Sequence, residues 1–160
     1  MLERFQGKDG RAALLNALRS QFIVDGHSDI ADRIASVARI REFAPGTPLF
    51  TQGERGSDLC LILAGRVSVH VDEREIATCS AGMHLGEIGL LEPFKGRSAT
   101  VVATDTVVVA QVSGQQFTEI ATFHPDLWRR IAIELARRLV KSQALICKLG
   151  GFEQPLAVSI

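Results

Sequence analysis

Several residue types are scarce or missing in this sequence of 160 residues, and each absence argues against a class of protein. The chain has no tyrosine, one tryptophan and three cysteines. The cysteines lie far apart and form no CxxC pair, so they do not supply the framework of a disulfide-rich secreted domain. We predict reduced, partly buried thiols.

An excess of charge of one sign and long apolar runs are also missing. The 18 basic and 18 acidic residues give a formal net charge of zero, so nothing in this balance draws the whole chain to nucleic acid or anionic lipid. No apolar run approaches the ~18–20 residues of a membrane helix, and the N-terminus has no apolar signal core. We therefore expect no membrane insertion and a cytoplasmic location.

The sequence shows no pattern of catalytic or metal-binding residues. We find no nucleophile paired with a histidine and an acid, so we expect no enzymatic activity. Cys79 and His84 are the closest pair of soft ligands, and they lack a third partner, so we expect no metal. Metal-dependent jelly-roll enzymes usually have closely spaced histidines, and the four histidines here are far apart.

What the sequence does contain is a hydrophobic period that changes twice along the chain. Segments 11–20 and 28–40 space their apolar residues as helices do, and the "FAPGTP" segment should end helical structure. From Leu49 to Val112 short apolar segments alternate with glycines and charges, as in many-stranded sheets. Near Ser113 the helical period returns with a predicted capping box, and the longest helix should run to about Leu149.

This pattern predicts an α+β chain: an antiparallel β jelly-roll barrel flanked by N-terminal helices and a long C-terminal helix. Within one domain, we expect N-terminal helices over 1–42, the barrel over 43–112 and C-terminal helices over 113–149. The remaining segment, 150–160, has no pattern and should be a tail.

The last predicted helix carries a seven-residue repeat on two neighbouring rows. The rows contain Trp128, Leu135, Ser142 and Leu149, and Ala132, Leu139 and Ile146. Such a seam, broken by one polar residue, is typical of coiled-coil interfaces. We expect a homodimer through this helix, and the alternative is a helix that packs against its own barrel.

The stretch "LGEIGLLEPFKGRSAT", Leu85 to Thr100, combines residue types that suit a sugar phosphate. Gly86 allows a close backbone approach, and the free amides of a short helix after it can bind an anion. Arg97 can reach the same anion with a forked pair of donors. Glu87 would repel a phosphate, but it can accept a hydrogen bond from a neighbouring hydroxyl.

This stretch resembles the phosphate-binding cassette of cyclic nucleotide-binding domains. The ten-residue step from Glu87 to Arg97 is similar to that of the catabolite-activator branch of the family. The likeness extends to "QGERGSDLCLILAGRVSV", 52–69, and "FHPDLWRRIAIELARRL", 123–139. It covers about Phe43 to Leu149.

The resemblance implies a role for each candidate site residue. These residues are Gly86, Glu87, Ile88, Arg97, Ser98 and Ser142. Glu87 would bind the ribose 2′-hydroxyl, and Arg97 would bind the cyclic phosphate with Ser98 and the backbone amides of 86–88. Ser142 would meet the base. Two alternatives stay open: Glu87 and Arg97 could be ordinary surface residues, or the fold could have lost its ligand.

The implied ligand is cAMP, ahead of cGMP, in a regulatory module that acts as a ligand-gated switch on an unknown effector protein. Cys60 stands where the family often has tyrosine or phenylalanine, which leaves base stacking to aliphatic side chains or a partner subunit. The alternatives are a ligand-free scaffold for protein–protein interaction and the sensor module of a longer regulator.

The catabolite-activator branch reads DNA with a helix-turn-helix after its long helix, and we expect no such element within these 160 residues. The last predicted helix is rich in basic residues, namely Arg129, Arg130, Arg137, Arg138 and Lys141. Glu134 interrupts this stripe, so we expect a solvated face. We expect no nucleic-acid binding by this chain alone.

Overall fold

The computed structural model describes the backbone of residues 1–150 and the side chains of that range other than 147, 149 and 150. The chain divides after His124 into two compact units, which are described separately. The predicted tail lies outside the described residues from 151 onwards. The predicted domain limits stay a prediction.

The first unit contains eight strands and four α-helices within residues 1–124. A short 3-10 helix, Leu2–Phe5, precedes helices α1 (Gly7–Arg19) and α2 (Ser28–Val37). The strands are β1 (Arg39–Phe43), β2 (Pro48–Phe50), β3 (Leu59–Ala64), β4 (Arg66–Val71), β5 (Arg74–Ser80), β6 (His84–Leu85), β7 (Thr100–Ala103) and β8 (Val107–Val112). Helix α3 (Glu87–Leu91) lies between β6 and β7, and α4 (Gly114–Phe123) follows β8.

The strands form two antiparallel four-stranded sheets, in the orders β1-β8-β3-β6 and β2-β7-β4-β5. Every strand contributes to one apolar core, which includes Phe50 of β2, Val67 of β4 and Cys79 of β5. Strands β3 and β8 are almost continuously buried because they are central in their sheet and because α1 and α2 contact them. The predicted α+β jelly-roll fold is confirmed.

Local sequence explains the hairpin of β4 and β5, both its buried face and its tight turn. Val67 faces the core opposite Cys79, so the alternating pattern of β4 buries one face of the hairpin. The two turn residues, Asp72 and Glu73, have φ angles of 48° and 67°. Positive φ at both positions is the requirement of a two-residue hairpin whose twist matches the strands.

Several elements differ from the sequence expectation. Strand β1 begins at Arg39, inside the segment predicted as helical, because pairing with β8 recruits these residues into the sheet. Strands β2 and β6 are too short to leave a periodic pattern. The predicted capping box is confirmed: Ser113 Oγ accepts from the Gln116 amide at 3.2 Å, and Gln116 Oε1 accepts from the Ser113 amide at 3.1 Å.

The second unit contains helix α5, which runs over Asp126–Gly150 and so confirms the predicted long helix. Its side chains Leu139, Val140, Leu145 and Ile146 are exposed. Among the described helices, α5 included, none is both long enough and apolar enough for a membrane span.

Candidate functional site

The candidate site is built where β6 ends and the short helix α3 begins. Gly86 is the N-cap of α3 and has φ 95° and ψ 4°, which is left-handed backbone. A Cβ atom at position 86 would lie 2.4 Å from the Asp58 carbonyl oxygen and 2.9 Å from Arg97 Nη1. Both the angle and the space therefore require glycine here.

Glu87 and Ile88 are the first two residues of α3. The Glu87 side chain is only 5% exposed, and its place in the first turn suits a carboxylate because the helix dipole is positive there. Ile88 is half-buried. The backbone amides of 86–88 lie at the start of the helix, where amides have no intrahelical acceptor.

Arg97 is buried beside this turn, with 7% of its surface exposed. Its Nη1 donates a 2.9 Å hydrogen bond to the Asp58 carbonyl oxygen. Its Cζ lies 3.8 Å from the centre of the Phe50 ring, a close cation–π contact. A backbone carbonyl and an aromatic face hold the guanidinium without neutralising its charge.

Three glycines form the walls around the guanidinium. Cβ atoms placed on Gly56, Gly86 and Gly89 would lie 3.0, 2.9 and 3.0 Å from its terminal nitrogens. A side chain at position 86 would displace the arginine, because real Cβ atoms essentially never show contacts under 3.0 Å, and at positions 56 and 89 the guanidinium would have to move by a few tenths of an ångström. We call this pocket, formed by Phe50, the Asp58 carbonyl and the three glycines, the arginine socket.

Burial also sets the electrostatics of the socket. Desolvation lowers the pKa of Arg97, and the nearby Cys60, Asp58, Glu54 and Glu87 oppose that change. The guanidinium still stays protonated, because arginine does not lose its proton in proteins. Desolvation raises the pKa of the Cys60 thiol to about 12, so this thiol is neutral at physiological pH and is not a reactive nucleophile.

The backbone of Arg97 is fixed by the turn that follows β2. The Arg97 amide donates to the Glu54 carbonyl, and the Gly53 amide donates to the Arg97 carbonyl, both at 2.8 Å. The turn closes on itself because the Glu54 amide donates to the Thr51 carbonyl at 3.0 Å. We call residues 51–54 the β2 turn.

The structure therefore brings Gly86, Glu87 and Arg97 together, with Ile88 in the same helical turn. Ser98 follows Arg97 directly and is exposed. Ser142 is an exposed residue of α5, in the second unit, and its Oγ donates to the Arg138 carbonyl at 3.0 Å.

Sequence reasoning missed the parts of the socket that are distant in the chain. Phe50 and the Asp58 carbonyl meet Arg97 across more than 35 residues, and neither carries a local signal. Gly56 could have been noticed, because it stands in a glycine-marked stretch before β3. Within the described residues, no group of three or more His, Cys, Asp and Glu side chains is placed to hold a metal ion.

The two sheets, the glycine turn at the start of α3 and the buried arginine together form the candidate site, and comparison with known proteins identifies the family of the domain. The family model described as the cyclic nucleotide-binding domain matches residues 40–122. The match covers half of the chain and includes the whole site of the first unit. The chain belongs to the cyclic nucleotide-binding domain family.

Two curated relatives are similar over most of this chain. The Pycsar effector protein XpPycTIR of Xanthomonas perforans is 36% identical over 146 residues, covering 91% of this chain and 48% of that protein. The Pycsar effector protein PaPycTIR of Pseudomonas aeruginosa is 39% identical over 139 residues, covering 87% and 45% respectively. The chain thus spans about half the length of these relatives.

A solved structure is similar as well. The catabolite activator protein of Thermus thermophilus superposes with a TM-score of 0.67 and 27% identity. The superposition covers 76% of this chain and 59% of that chain. The resemblance to the catabolite-activator branch that the cassette indicated therefore extends to the fold.

Proposed function

We propose that this chain binds a 3′,5′-cyclic nucleotide at α3, with Arg97 on the cyclic phosphate and Glu87 on the ribose 2′-hydroxyl. The observation that carries the proposal is the buried guanidinium of Arg97, whose hydrogen-bond and ring partners in the socket are neutral. A buried charge is costly unless an opposite charge compensates it. A bound phosphate would supply that charge.

The neighbouring carboxylate favours a cyclic phosphate over a linear one. A cyclic phosphodiester has one negative charge, whereas a nucleoside 5′-monophosphate has about two at neutral pH. Glu87 lies close enough to Arg97 to affect its pKa, so it would repel the second charge. In the same place it can accept a hydrogen bond from a ribose hydroxyl. Ser98 and the amides of 86–88 would complete the phosphate contacts.

The base is a separate question, because the phosphate and ribose contacts are common to all cyclic nucleotides. We propose cAMP ahead of cGMP, on the resemblance to the catabolite-activator branch alone. Ser142 is the residue that this resemblance assigns to the base, and that role stays a prediction.

A thermal-shift screen tests the proposal. The four ligands are cAMP, cGMP, cCMP and cUMP, and the matching 5′-monophosphates are the controls. A ligand at 100 times its Kd stabilises the folded chain by about 2.7 kcal/mol, so at least one cyclic nucleotide should raise the unfolding temperature while its linear counterpart does not. If none of the four raises it, the binding proposal fails and the ligand-free scaffold is favoured.

We further propose that the bound nucleotide regulates an effector protein, and that this module has no enzymatic activity or nucleic-acid binding of its own. The relatives support a regulatory output, since they are named as effector proteins and are about twice as long as this chain. A nucleotide can shift a conformational equilibrium only if it binds one state better than the other. The proposed output is a ligand-dependent change in the surface that α5 offers to a partner.

We propose that this chain forms a homodimer through α5. Leu139 and Ile146 lie on one row of the predicted seam and are 59% and 61% exposed in the single chain. Replacing both with glutamate would place charges in the interface, so we expect the wild type to sediment as a dimer and the variant as a monomer. Ala144→Glu, which lies off both rows, is the control. A monomeric wild type, or a double variant that still dimerises, would refute the proposed dimer interface on α5.

A further inference from the structure

Three segments meet at one end of the β2-β7-β4-β5 sheet. They are the β2 turn, the β4–β5 hairpin turn at 72–73 and the first residue of β7, Thr100. The β2 turn also fixes the backbone of Arg97, which lies only three residues before Thr100. This end of the sheet therefore determines the position of the backbone at Arg97, the residue proposed to bind the phosphate.

Gln52 joins the three segments. Its side-chain Oε1 accepts from the Asp72 amide at 2.9 Å, and its Nε2 donates to Asp72 Oδ1 at 3.1 Å. Its own backbone amide donates to Thr100 Oγ1 at 3.0 Å. Both ends of the side-chain amide are therefore used on one residue of the hairpin turn.

The geometry links this contact to the arginine socket. Gln52 and Gly53 are neighbours in the β2 turn, and the Gly53 amide donates to the Arg97 carbonyl. Gly96 fits tightly against the same turn, because a Cβ there would lie 2.8 Å from the Gly53 carbonyl oxygen. A shift of the β2 turn would therefore shift the backbone on both sides of the Arg97 amide.

We infer that Gln52 is a positioning residue for nucleotide binding: it anchors the β2 turn to the β4–β5 hairpin, and the turn holds Arg97 in its socket. The inference rests on the proposed function, because it assigns Gln52 to the same site. Gln52 itself does not contact the guanidinium.

An exchange of amide and carboxylate provides the test. Gln52→Glu places a carboxylate against that of Asp72, whereas Asp72→Asn alone keeps an acceptor for Gln52 and suits positive φ. In the double variant the side-chain bond forms again with reversed polarity, because the new amide at 72 donates to the new carboxylate at 52. The backbone amide of residue 72 still donates to residue 52, as it does in the wild type. Gln52→Ala removes both.

We expect Gln52→Ala and Gln52→Glu to raise the Kd of the tightest of cAMP, cGMP, cCMP and cUMP about fivefold, as measured by calorimetry. The double variant should return to within about twofold of the wild type. A role in folding alone would lower the unfolding temperature of the variants and leave Kd unchanged. That result would overturn the inference, as would a double variant that binds no better than Gln52→Glu.

Hydrogen exchange in the nucleotide-free chain keeps this test independent of the proposed function. Gln52→Ala should speed exchange at the amides of Gly53 and Arg97, and leave the Gly46 amide, which donates to the Ala103 carbonyl, unchanged. Unchanged exchange at 53 and 97 overturns the inference, whatever the nucleotides do. If the wild type binds none of the four nucleotides but exchange at 53 and 97 rises in Gln52→Ala, the proposed function fails while the anchoring of Arg97 stands.

Discussion

Replacing Arg97 with alanine is expected to weaken cyclic-nucleotide binding by about 30-fold to 1,000-fold. Removing one partner of a desolvated, hydrogen-bonded charge pair costs ~2–4 kcal/mol, and each ~1.4 kcal/mol is a factor of ten in affinity. Arg97 meets these conditions, because its side chain is buried and hydrogen-bonded and its pKa is lowered by desolvation. Calorimetric titration of both proteins with the same nucleotide measures the ratio.

Two companion variants separate the causes of that loss. Arg97→Lys keeps the positive charge and loses the planar fork, so its affinity should fall between those of the wild type and Arg97→Ala. Arg39→Ala removes an exposed guanidinium from β1, a strand of the β1-β8-β3-β6 sheet. This control variant should bind nucleotide as the wild type does. Equal affinities of Arg97→Ala and the wild type would remove Arg97 from the site.

Gly86→Ala should lower the free energy of unfolding by ~2–5 kcal/mol and abolish nucleotide binding. Left-handed backbone costs a residue with a Cβ about 1–2 kcal/mol, and forcing a group into a filled site costs about 1–3 kcal/mol more. At position 86 both penalties apply, since φ is 95° and the new Cβ would press on the Asp58 carbonyl and on Arg97. Denaturant unfolding measures the stability, and calorimetry measures the binding.

Gly46→Ala is the matched control for this variant. Gly46 also has a positive φ, 81°, but a Cβ there would meet no atom within 4 Å. It should therefore show the backbone penalty without the steric one, and it should bind nucleotide normally. If Gly86→Ala loses no more stability than Gly46→Ala and still binds, the close packing of α3 against Arg97 is not needed for the site.

The sequence could predict those parts of the molecule that depend on short segments. The glycine at 86, the acid at 87 and the arginine at 97 lie within one short stretch of sequence, Leu85 to Thr100, and carry their chemistry locally. The alternating strand β4 and the capping box at Ser113 are likewise visible in a few residues. The coarse order of N-terminal helices, strands and C-terminal helices followed from such signals.

The socket around Arg97 could not be predicted in the same way. Phe50 reaches the guanidinium only because β2 and β7 pair, and the Asp58 carbonyl reaches it only because the chain enters β3 beside α3. Strand β1 could not be predicted for a related reason. Residues Arg39–Phe43 become extended by pairing with β8 and have no strong strand pattern of their own. Contacts between distant segments decide such features, and a single sequence does not contain them in readable form.

The measurement that tests the central claim most directly is calorimetric titration of the wild-type chain with each of the four 3′,5′-cyclic nucleotides. We predict saturable binding of at least one of them, with one nucleotide per chain and much weaker binding of its 5′-monophosphate. No binding of any of the four, or equal binding of the cyclic and linear forms, would contradict it.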